Sequence, residues 1–479
     1  MNSEIRVRFA PSPTGFLHVG GLRTALYDYL YARKTAGKFI LRIEDTDRTR
    51  FIEGAAEKLI QTLKDVGLEF DEGPEKDGVV GPYYQSLRTE IYKKYIDELI
   101  EKDAAYYCFC SSDDLDKMRE EQRAKGIDPK YDGRCRKLSK EERAKRLDEG
   151  KPFVVRLKVP QEGEITFYDI VREKVTFPWK MVDDQILIKS DGFPTYHLAN
   201  VVDDHLMGIT HVIRGEEWLS SVPKHLLLYE QFGWKPPKMA HLPLLLNPDK
   251  SKLSKRQGDV AVEDYLEKGY LPEALLNFIA LLGWHPKGDR ELFTLEELEK
   301  EFSMKRITKA GAVFDVEKLN WMNGHYIRSL DLIYIADKSQ SFFEKTGIDI
   351  TDKDKYLKVI ANARMRVSKL SDIVGHSKQY YFDLKLSEEA KKIILDENSQ
   401  KIYKYWIDEF YKKENWSKED ILELQNKSME KLGIKGKSFF IPIRLALIGA
   451  EHGPDFPAII DILGRDETVK RFSKVLDLS

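Results

Sequence analysis

The chain has 479 residues and is nearly balanced in charge, with 78 Lys and Arg against 80 Asp and Glu and a formal net charge of −2. This balance argues against a generic DNA-coating protein, although an RNA-binding enzyme can be near neutral when its cations cluster on one face. The apolar runs are too short to cross a bilayer, and no apolar signal core lies at the N-terminus. Three cysteines, an odd number, do not suggest a disulfide framework. We therefore expect a soluble, cytoplasmic protein of several domains.

The N-terminal region predicts a strand, a tight turn, a helix and a second strand. Three apolar residues alternate with Arg6 and Arg8, which is typical of a half-buried strand. From Gly20 onward the apolar residues fall on one helical face, and Gly37 is expected to end that helix. A second strand follows over residues 39–43. The helix entrance offers unpaired N–H groups and a positive dipole end to a phosphate.

Later segments extend this pattern. They predict a charged helix over 113–125, strands over 153–157, 185–189 and 211–214, and a helix over 196–206. A polar loop over 247–258 follows, and from about residue 262 the pattern is helical. These features indicate an α/β nucleotide-binding fold with an insertion and a helical C-terminal half. Because ligands of an open parallel sheet bind at the carboxyl ends of its strands, the residues after these strands are expected to share one crevice: Ala10–Ser12, Glu44, Arg214 and the loop around Lys252.

Two short motifs narrow the function. One is His18-Val19-Gly20-Gly21 at the helix entrance, and the other is Lys252-Leu253-Ser254-Lys255-Arg256 in the polar loop. Each motif alone is weak evidence of function, since a glycine-rich turn into a helix has many uses and a run of Lys and Arg is usually a solvated surface segment. In this order they resemble the HIGH and KMSKS motifs of class I aminoacyl-tRNA synthetases. Segments 8–15, 41–47, 194–200 and 213–218 resemble the bacterial glutamyl-tRNA synthetase family, and the resemblance covers nearly the whole chain.

This resemblance implies a fold and a division into domains. The expected fold is α/β, with a class I Rossmann-like nucleotide-binding domain, an inserted α+β connective domain and a mostly α-helical C-terminal half. The expected segments are the two halves of the catalytic domain (1–96 and 185–258), the connective domain that binds the acceptor stem (97–184), a helical stem-contact domain (259–330) and a helical anticodon-binding region (331–479).

The resemblance also implies a reaction. The α-carboxylate of glutamate attacks the α-phosphate of ATP to form glutamyl-adenylate, and a ribose hydroxyl of the terminal adenosine of tRNA(Glu) then attacks the acyl carbon. Charging of tRNA(Gln) as well is left open. Mg²⁺ is expected to accompany ATP, bound mainly by phosphate oxygens and water, and the protein is expected to be a monomer.

Candidate site residues follow from this chemistry. Glutamate has two carboxylates and an ammonium group, so its pocket needs guanidinium groups and an anion. With the resemblance, the expected glutamate pocket is Arg8, Ala10, Ser12, Glu44, Tyr196, Asn200, Arg214 and Trp218. The expected ATP site is His18, Gly20, Gly21, Glu217, Lys252, Ser254 and Lys255, of which His18, Lys252 and above all Lys255 are the candidate catalytic residues.

Each of these residues also has an ordinary structural interpretation. His18 could be a helix cap, Arg8 a surface cation at a strand edge and Glu44 a helix-cap partner. Trp218 could equally be a core residue. Gly21 stands where the HIGH motif has its second histidine, a departure that is common among bacterial glutamyl enzymes.

The cysteines resemble a zinc site that some members of the family carry in the insertion. Cys108, Cys110 and Cys135 are present, but Lys137 stands where that pattern has a fourth ligand. Tyr131 is the alternative fourth donor. Because structural zinc sites have four ligands, we expect zinc to be absent.

Two clusters of cations in the C-terminal third are candidate tRNA contacts, namely Arg364, Arg366 and Lys369, and Lys437 with Arg444. Two other functions fit parts of the pattern: an α/β nucleotidyltransferase that adenylates a small acid without RNA, and a non-catalytic RNA-binding protein on the same fold. The long helical C-terminus argues against the first. The intact candidate residues His18, Lys255, Arg8 and Glu44 argue against the second.

Overall fold

The computed structural model describes residues 4–47, 49–50, 52–76, 78–253 and 260–478. The chain divides into two compact units, Met1–Leu266 with Pro272–Val316, and Glu267–Leu271 with Glu317–Ser479. None of the helices in the described ranges has the length and apolar content needed to span a bilayer.

The strands of the described residues lie in the first unit. In chain order they are β1 (Arg6–Phe9), β2 (Lys38–Leu41), β3 (Ala105–Cys108), β4 (Val154–Leu157), β5 (Glu164–Asp169), β6 (Glu173–Pro178), β7 (Ile186–Ile188), β8 (His211–Gly215), β9 (Lys238–Leu242), β10 (Leu245–Leu246) and β11 (Ala312–Val313).

The α-helices occur in both units. In chain order they are α1 (Val19–Lys34), α2 (Ala55–Asp65), α3 (Thr89–Glu101), α4 (Ser112–Ala124), α5 (Lys140–Asp148), α6 (Tyr196–Leu206), α7 (Val222–Phe232), α8 (Val262–Glu267), α9 (Pro272–Ala280), α10 (Leu295–Glu301), α11 (Val316–Ser329), α12 (Leu332–Glu344), α13 (Lys353–Ala363), α14 (Leu370–Gly375), α15 (Glu388–Ile394), α16 (Glu397–Phe410), α17 (Lys418–Leu432), α18 (Lys437–Ile448) and α19 (Phe456–Leu476).

A parallel sheet forms the centre of the first unit. β1 pairs in parallel with β2, and β8 pairs in parallel with β9. The backbone N–H of Thr210 donates to the carbonyl of Arg6 at 2.9 Å, which joins the start of β8 to β1. α1 connects β1 to β2, so the predicted strand–helix–strand unit is confirmed, as are α6 and β8.

β1 differs from the half-buried strand that its alternating pattern predicted. Val7, Arg8 and Phe9 are all buried, so polar and apolar side chains alike lie inside. A parallel sheet is usually covered by helices on both faces, and Arg8 pairs with Asp204 of α6 at 3.0 Å. The interpretation of Arg8 as a surface cation is therefore wrong.

The end of α1 also differs from the expectation. The helix stops at Lys34, and the residue with left-handed backbone is Ala36, with φ of 51°. Gly37 is needed for another reason, because a Cβ there would lie 2.3 Å from the carbonyl oxygen of Ile5 at the start of β1.

The segment predicted to be an insertion, residues 97–184, is joined to its surroundings through its strands. β3, β4 and β7 form an antiparallel sheet, although residues 185–189 were expected to resume the nucleotide-binding fold. β5 and β6 form a hairpin, and β5 pairs in parallel with β9 through Asp169 and Met239. A core of buried side chains such as Leu99, Val155 and Leu187 packs beside α6 and α7. The predicted boundary after residue 184 therefore does not coincide with a sheet boundary.

The second unit is helical throughout the residues described, as its periodicity predicted. Its core holds Tyr403, Trp406 and Phe472, all fully buried. The indole N–H of Trp406 donates to the hydroxyl of Ser428 at 2.8 Å, which satisfies a polar atom inside this core.

Candidate active site

A cleft of about 970 Å³ opens beside the ends of β1 and β8. Most of the expected site residues line it: Arg8, Ala10, Ser12, His18, Gly20, Gly21, Glu44, Tyr196, Arg214, Glu217, Trp218 and Lys252. They come from segments more than 200 positions apart, as expected of residues that follow parallel strands. Asn200 does not line the cleft and is buried. Ser254 and Lys255 lie outside the described residues.

The helix entrance at one side of the cleft is formed by His18 and the two glycines. His18 caps α1, because its Nδ1 accepts the backbone N–H of Gly20 at 2.9 Å. In a neutral ring the proton is then on Nε2, which is a hydrogen-bond donor. The capping role and a phosphate-binding role are therefore compatible.

Leu253 and Val260, which flank segment 254–259, are each hydrogen-bonded to a residue beside the cleft. Leu253 donates its backbone N–H to the carbonyl of Leu245 at 2.9 Å, and Val260 accepts from the backbone N–H of Val19 at 2.8 Å. Lys252 is exposed and lines the cleft, where an ammonium group suits a polyphosphate.

A buried network of charges lies beneath the cleft. Asp204 accepts from Arg8 at 3.0 Å and from Arg42 at 2.8 Å, and Arg42 also contacts Glu44 at 3.2 Å. The amide oxygen of Asn200, in the orientation that satisfies its neighbours, accepts from both arginines at 3.1 and 3.2 Å. Asn200 therefore orients these guanidinium groups from below.

The pKa values of this network depend on burial and on the arginines. Burial favours the neutral carboxyl, but Arg8 and Arg42 outweigh it at Asp204, whose pKa is lowered. At Glu44 burial is the larger effect and raises the pKa, although Arg42 and Arg8 oppose it. A bound ammonium group at Glu44 would favour its charged form.

Arg214 has different surroundings from Arg8. Its Nε–H donates to His241 Nε2 at 3.0 Å, its Nη1 donates to the hydroxyl of Tyr196 at 2.9 Å, and both Nη atoms lie 3.4 Å from His225 Nδ1. Its side chain is buried, and no carboxylate of the described chain is within ion-pairing distance of it. This guanidinium charge is therefore available to a ligand.

Aromatic rings form the wall next to Arg214. The centroids of the Tyr196 and Trp218 rings are 4.2 Å apart. Trp218 is only half-buried and lines the cleft, so it is not simply a core residue.

Several residues that line the cleft were not anticipated, including Arg23, Asp47 and Lys189. Arg23 lies one helical turn after Gly20, so helical spacing could have identified it. It is buried and donates to the carbonyl oxygens of Leu282, at 3.0 Å, and Pro243. Burial lowers its pKa.

The cysteines of the insertion lie together. The sulfurs of Cys108, Cys110 and Cys135 are all within 4.8 Å of one another. The hydroxyl of Tyr131 lies 3.3 Å from Cys108 Sγ and 3.9 Å from Cys110 Sγ, whereas Lys137 is exposed. Three thiols and a phenol could therefore supply four donors to a tetrahedral ion. The expectation that zinc is absent stays a prediction.

The candidate tRNA contacts lie in the second unit with different degrees of exposure. Arg364 donates to the carbonyl of Leu330 at 2.9 Å, and Arg444 is half-buried with its guanidinium 5.1 Å from the Phe456 ring. Lys369 is also half-buried. Arg366 and Lys437 are exposed, so they are the members of the set best placed to meet a phosphate.

Models of two protein families match the chain. The model for tRNA synthetases class I (E and Q), catalytic domain, matches residues 4–321. The model for an anticodon binding domain matches residues 334–476. The expected α/β architecture with a helical C-terminal half is thereby confirmed.

Individual relatives are similar over the full length. The glutamate–tRNA ligase of Finegoldia magna is 46% identical over 487 residues, which cover 99% of this chain and 100% of that protein. The glutamate–tRNA ligase of Clostridioides difficile is also 46% identical and covers 98% and 99%. A crystal structure of a glutamate tRNA ligase from Elizabethkingia meningosepticum in complex with its amino acid matches with a TM-score of 0.91 at 38% identity, covering 99% of each chain. From its cleft, its two matched domains and these full-length relatives, the chain belongs to the glutamate–tRNA ligase family of class I aminoacyl-tRNA synthetases.

Proposed function

We propose that this protein activates L-glutamate with ATP and transfers it to the terminal adenosine of tRNA(Glu). The observation that carries the proposal is the single cleft that joins a histidine-capped helix entrance to two arginines and a glutamate. The first set suits the phosphates of ATP, and the second suits the carboxylates and ammonium group of glutamate.

Arg214 is proposed to bind the side-chain carboxylate of glutamate. Its described partners are uncharged, so its full charge is available, whereas the charge of Arg8 is shared with Asp204. The α-carboxylate must remain nucleophilic. Arg8, whose charge is partly compensated by Asp204, would bind it less tightly than an uncompensated guanidinium and therefore suits it better. Glu44 is proposed to accept the ammonium group.

In the activation step the α-carboxylate attacks the α-phosphate, and negative charge grows on the departing pyrophosphate. His18 and Lys252, with Lys255, are proposed to stabilise that charge, and Gly20 and Gly21 to let the adenosine approach α1. Glu217 and Trp218 would line the space for substrate. Mg²⁺, which binds phosphate oxygens, would neutralise part of the ATP charge.

The second unit is proposed to bind the anticodon part of tRNA, using exposed cations such as Arg366 and Lys437. Since aminoacylation supplies protein synthesis, a cytoplasmic location is proposed, and the monomeric state stays a prediction. The predicted domain boundaries likewise stay a prediction.

Aminoacylation with labelled glutamate tests the proposal. The assay uses ATP with tRNA(Glu), tRNA(Gln) or no tRNA, and compares the unaltered chain with Lys255→Ala and Arg214→Gln. We expect Lys255→Ala to lower kcat, and Arg214→Gln to raise the KM for glutamate about 10–100-fold, because hydrogen bonds to charged groups contribute about 1.5–3 kcal/mol.

The two tRNA arms decide the range of substrates. Charging of tRNA(Glu) alone would show a discriminating enzyme, and charging of both would show a non-discriminating one. A folded protein that binds ATP and charges neither tRNA would contradict the proposal and favour a small-acid adenylating or non-catalytic function.

A further inference from the structure

Behind Arg214 lies a chain of two buried side chains that the proposed reaction does not use. Arg214 Nε is 3.0 Å from His241 Nε2, and His241 Nδ1 is 2.6 Å from Asp169 Oδ2. His241 and Asp169 are both fully buried and do not line the cleft. His241 therefore contacts Arg214 from the side opposite to a ligand, and Asp169 contacts His241 in turn.

Both contacts of His241 require the same tautomer. The Nε of arginine always carries a hydrogen, so His241 Nε2 must be the acceptor. The carboxylate of Asp169 then accepts the hydrogen on Nδ1. The imidazole is thus neutral, with each ring nitrogen assigned by a separate neighbour, and its plane is held at both ends.

Asp169 is itself held by the backbone. Its Oδ1 accepts the backbone N–H groups of Val171, Arg172 and His241 at 3.0, 2.9 and 3.2 Å. Asp169 is the residue of β5 that pairs with Met239 of β9. The carboxylate is therefore anchored to the sheet that also carries His241 and Arg214.

The two Nη atoms of Arg214 also lie near a histidine nitrogen. His225 Nδ1 lies near both Nη atoms, and His225 Nε2 is 3.1 Å from His197 Nδ1. Burial is the main cause that lowers the pKa of His225 well below its ordinary value, and it lowers the pKa of His197 to about 3. Neutral acceptors orient Arg214 without cancelling its charge.

We propose that Asp169 and His241 are positioning residues for glutamate recognition, which hold the guanidinium plane of Arg214 while leaving its charge for the substrate. A carboxylate placed directly on Arg214 would orient it equally well but would compete with the carboxylate of the substrate. Moving the negative charge one imidazole away keeps the orientation and removes the competitor. The inference rests on the proposed role of Arg214.

The positioning of Arg214 by His241 and Asp169 should affect the choice between glutamate and glutamine. An oriented, uncompensated guanidinium favours a carboxylate over an amide through charge and through two parallel hydrogen bonds. Loss of orientation weakens both, so it should reduce the preference for glutamate and raise the KM for glutamate. It should leave the binding of ATP unchanged.

The experiment measures aminoacylation of tRNA(Glu) by the full chain, with separate KM values for glutamate and ATP. His241→Leu removes the acceptor at Nε2, whereas His241→Gln places an amide oxygen near that position. We expect His241→Leu to raise the KM for glutamate about 10–100-fold, as expected when a substrate-binding group is misplaced by about 1 Å. We expect His241→Gln to restore most of the affinity for glutamate.

Asp169→Asn tests the second of the two positioning residues. Loss of its charge should raise the KM for glutamate when His241 is present. In the His241→Gln background it should add less than about twofold, because residues that act through one another have non-additive effects. Additive effects would show that Asp169 does not act through His241.

A matched control is His211→Leu. His211 is a buried histidine of β8 that contacts Tyr31 and Thr210 rather than Arg214. It should change the KM for glutamate by less than about twofold, as expected of a site without shared partners. If His241→Leu and His241→Gln raise the KM values for glutamate and ATP alike, the role of His241 is structural and the proposal fails.

Failure of the inference and failure of the proposed function are distinguishable. If Arg214→Gln leaves the KM for glutamate unchanged, the proposed role of Arg214 is wrong and the positioning role falls with it. If Arg214→Gln raises that KM but His241→Leu does not, Arg214 binds glutamate without help from His241 and Asp169. If His241→Leu does not fold, His241→Gln and Asp169→Asn still decide the question.

Discussion

Two arginines at the cleft show how the same side chain can have different electrostatic roles. Arg8 is compensated by Asp204, which also contacts Arg42, whereas Arg214 has histidine and tyrosine partners. Both arginines were expected from the sequence, because the family resemblance implied glutamate as the substrate and its two carboxylates need two cations. Their difference was not predictable, since His225 and His241 lie outside the motif segments and carry no local signal of a contact with Arg214.

The buried histidines of the first unit predict a loss of stability in acid. Burial lowers the pKa of His211 to about 4 and that of His197 to about 3, below about 6.5 for an unfolded histidine. Lower folded-state values mean that the unfolded chain binds more protons, so stability falls as the pH drops from about 6.5 towards 4.

His211→Gln isolates one of these groups. Between pH 6.5 and 4, we expect it to reduce the slope of unfolding free energy against pH by up to about 1.4 kcal/mol per pH unit, the contribution of one proton. Urea unfolding followed by tryptophan fluorescence measures this slope. An unchanged slope would show that His211 titrates alike in the folded and unfolded chain.

In the turn between α1 and β2, two neighbouring residues share the roles that were expected of Gly37 alone. Gly37 was expected to end the helix, but the left-handed residue is Ala36, and Gly37 provides space beside Ile5. Helix α6 was predicted with its observed bounds because its apolar periodicity is strong. The antiparallel pairing of β7 with β4 was not predicted, since sequence shows that a strand exists but not which strand it pairs with.

Opposite substitutions in this turn should have opposite effects. Ala36→Gly removes about 1–2 kcal/mol of left-handed strain and adds about 0.5–1 kcal/mol of unfolded-chain entropy, so a gain of up to about 1.5 kcal/mol is expected. Gly37→Ala forces a Cβ against the carbonyl of Ile5 and should cost about 1–3 kcal/mol. Urea unfolding of both variants measures these changes, and shifts in the same direction would contradict the assignment.

The net charge of the chain is near zero, but the second unit carries local clusters of cations. The sequence indicated the helical character of the second unit and the positions of its cations. It did not show that Arg364 and Arg444 are held against the protein while Arg366 and Lys437 face solvent, because exposure depends on how distant helices pack.

Replacing Arg366 and Lys437 together by Gln should weaken tRNA binding. The KM for tRNA should rise, and the slope of log KM against log salt concentration should decrease by about 0.7–0.9 for each lost phosphate contact. The KM values for glutamate and ATP should not change. The paired variant Lys412→Gln with Lys427→Gln is the control, since it removes two exposed cations that already pair with Glu409 and Glu423; equal effects of the two pairs would exclude a local contact.

The single residue pair between β5 and β9 has a consequence for protein engineering. Asp169 lies in the predicted insertion over 97–184, yet β5 pairs with β9 and the carboxylate of Asp169 contacts His241 of β9. This segment is therefore joined to β9 by a strand pairing and by a side-chain contact. If Asp169 positions His241 as proposed, excising this segment would remove the carboxylate. A chimaera that receives the corresponding segment of a distant relative would need an acidic residue at the same place, so grafting boundaries should keep β5 with β9.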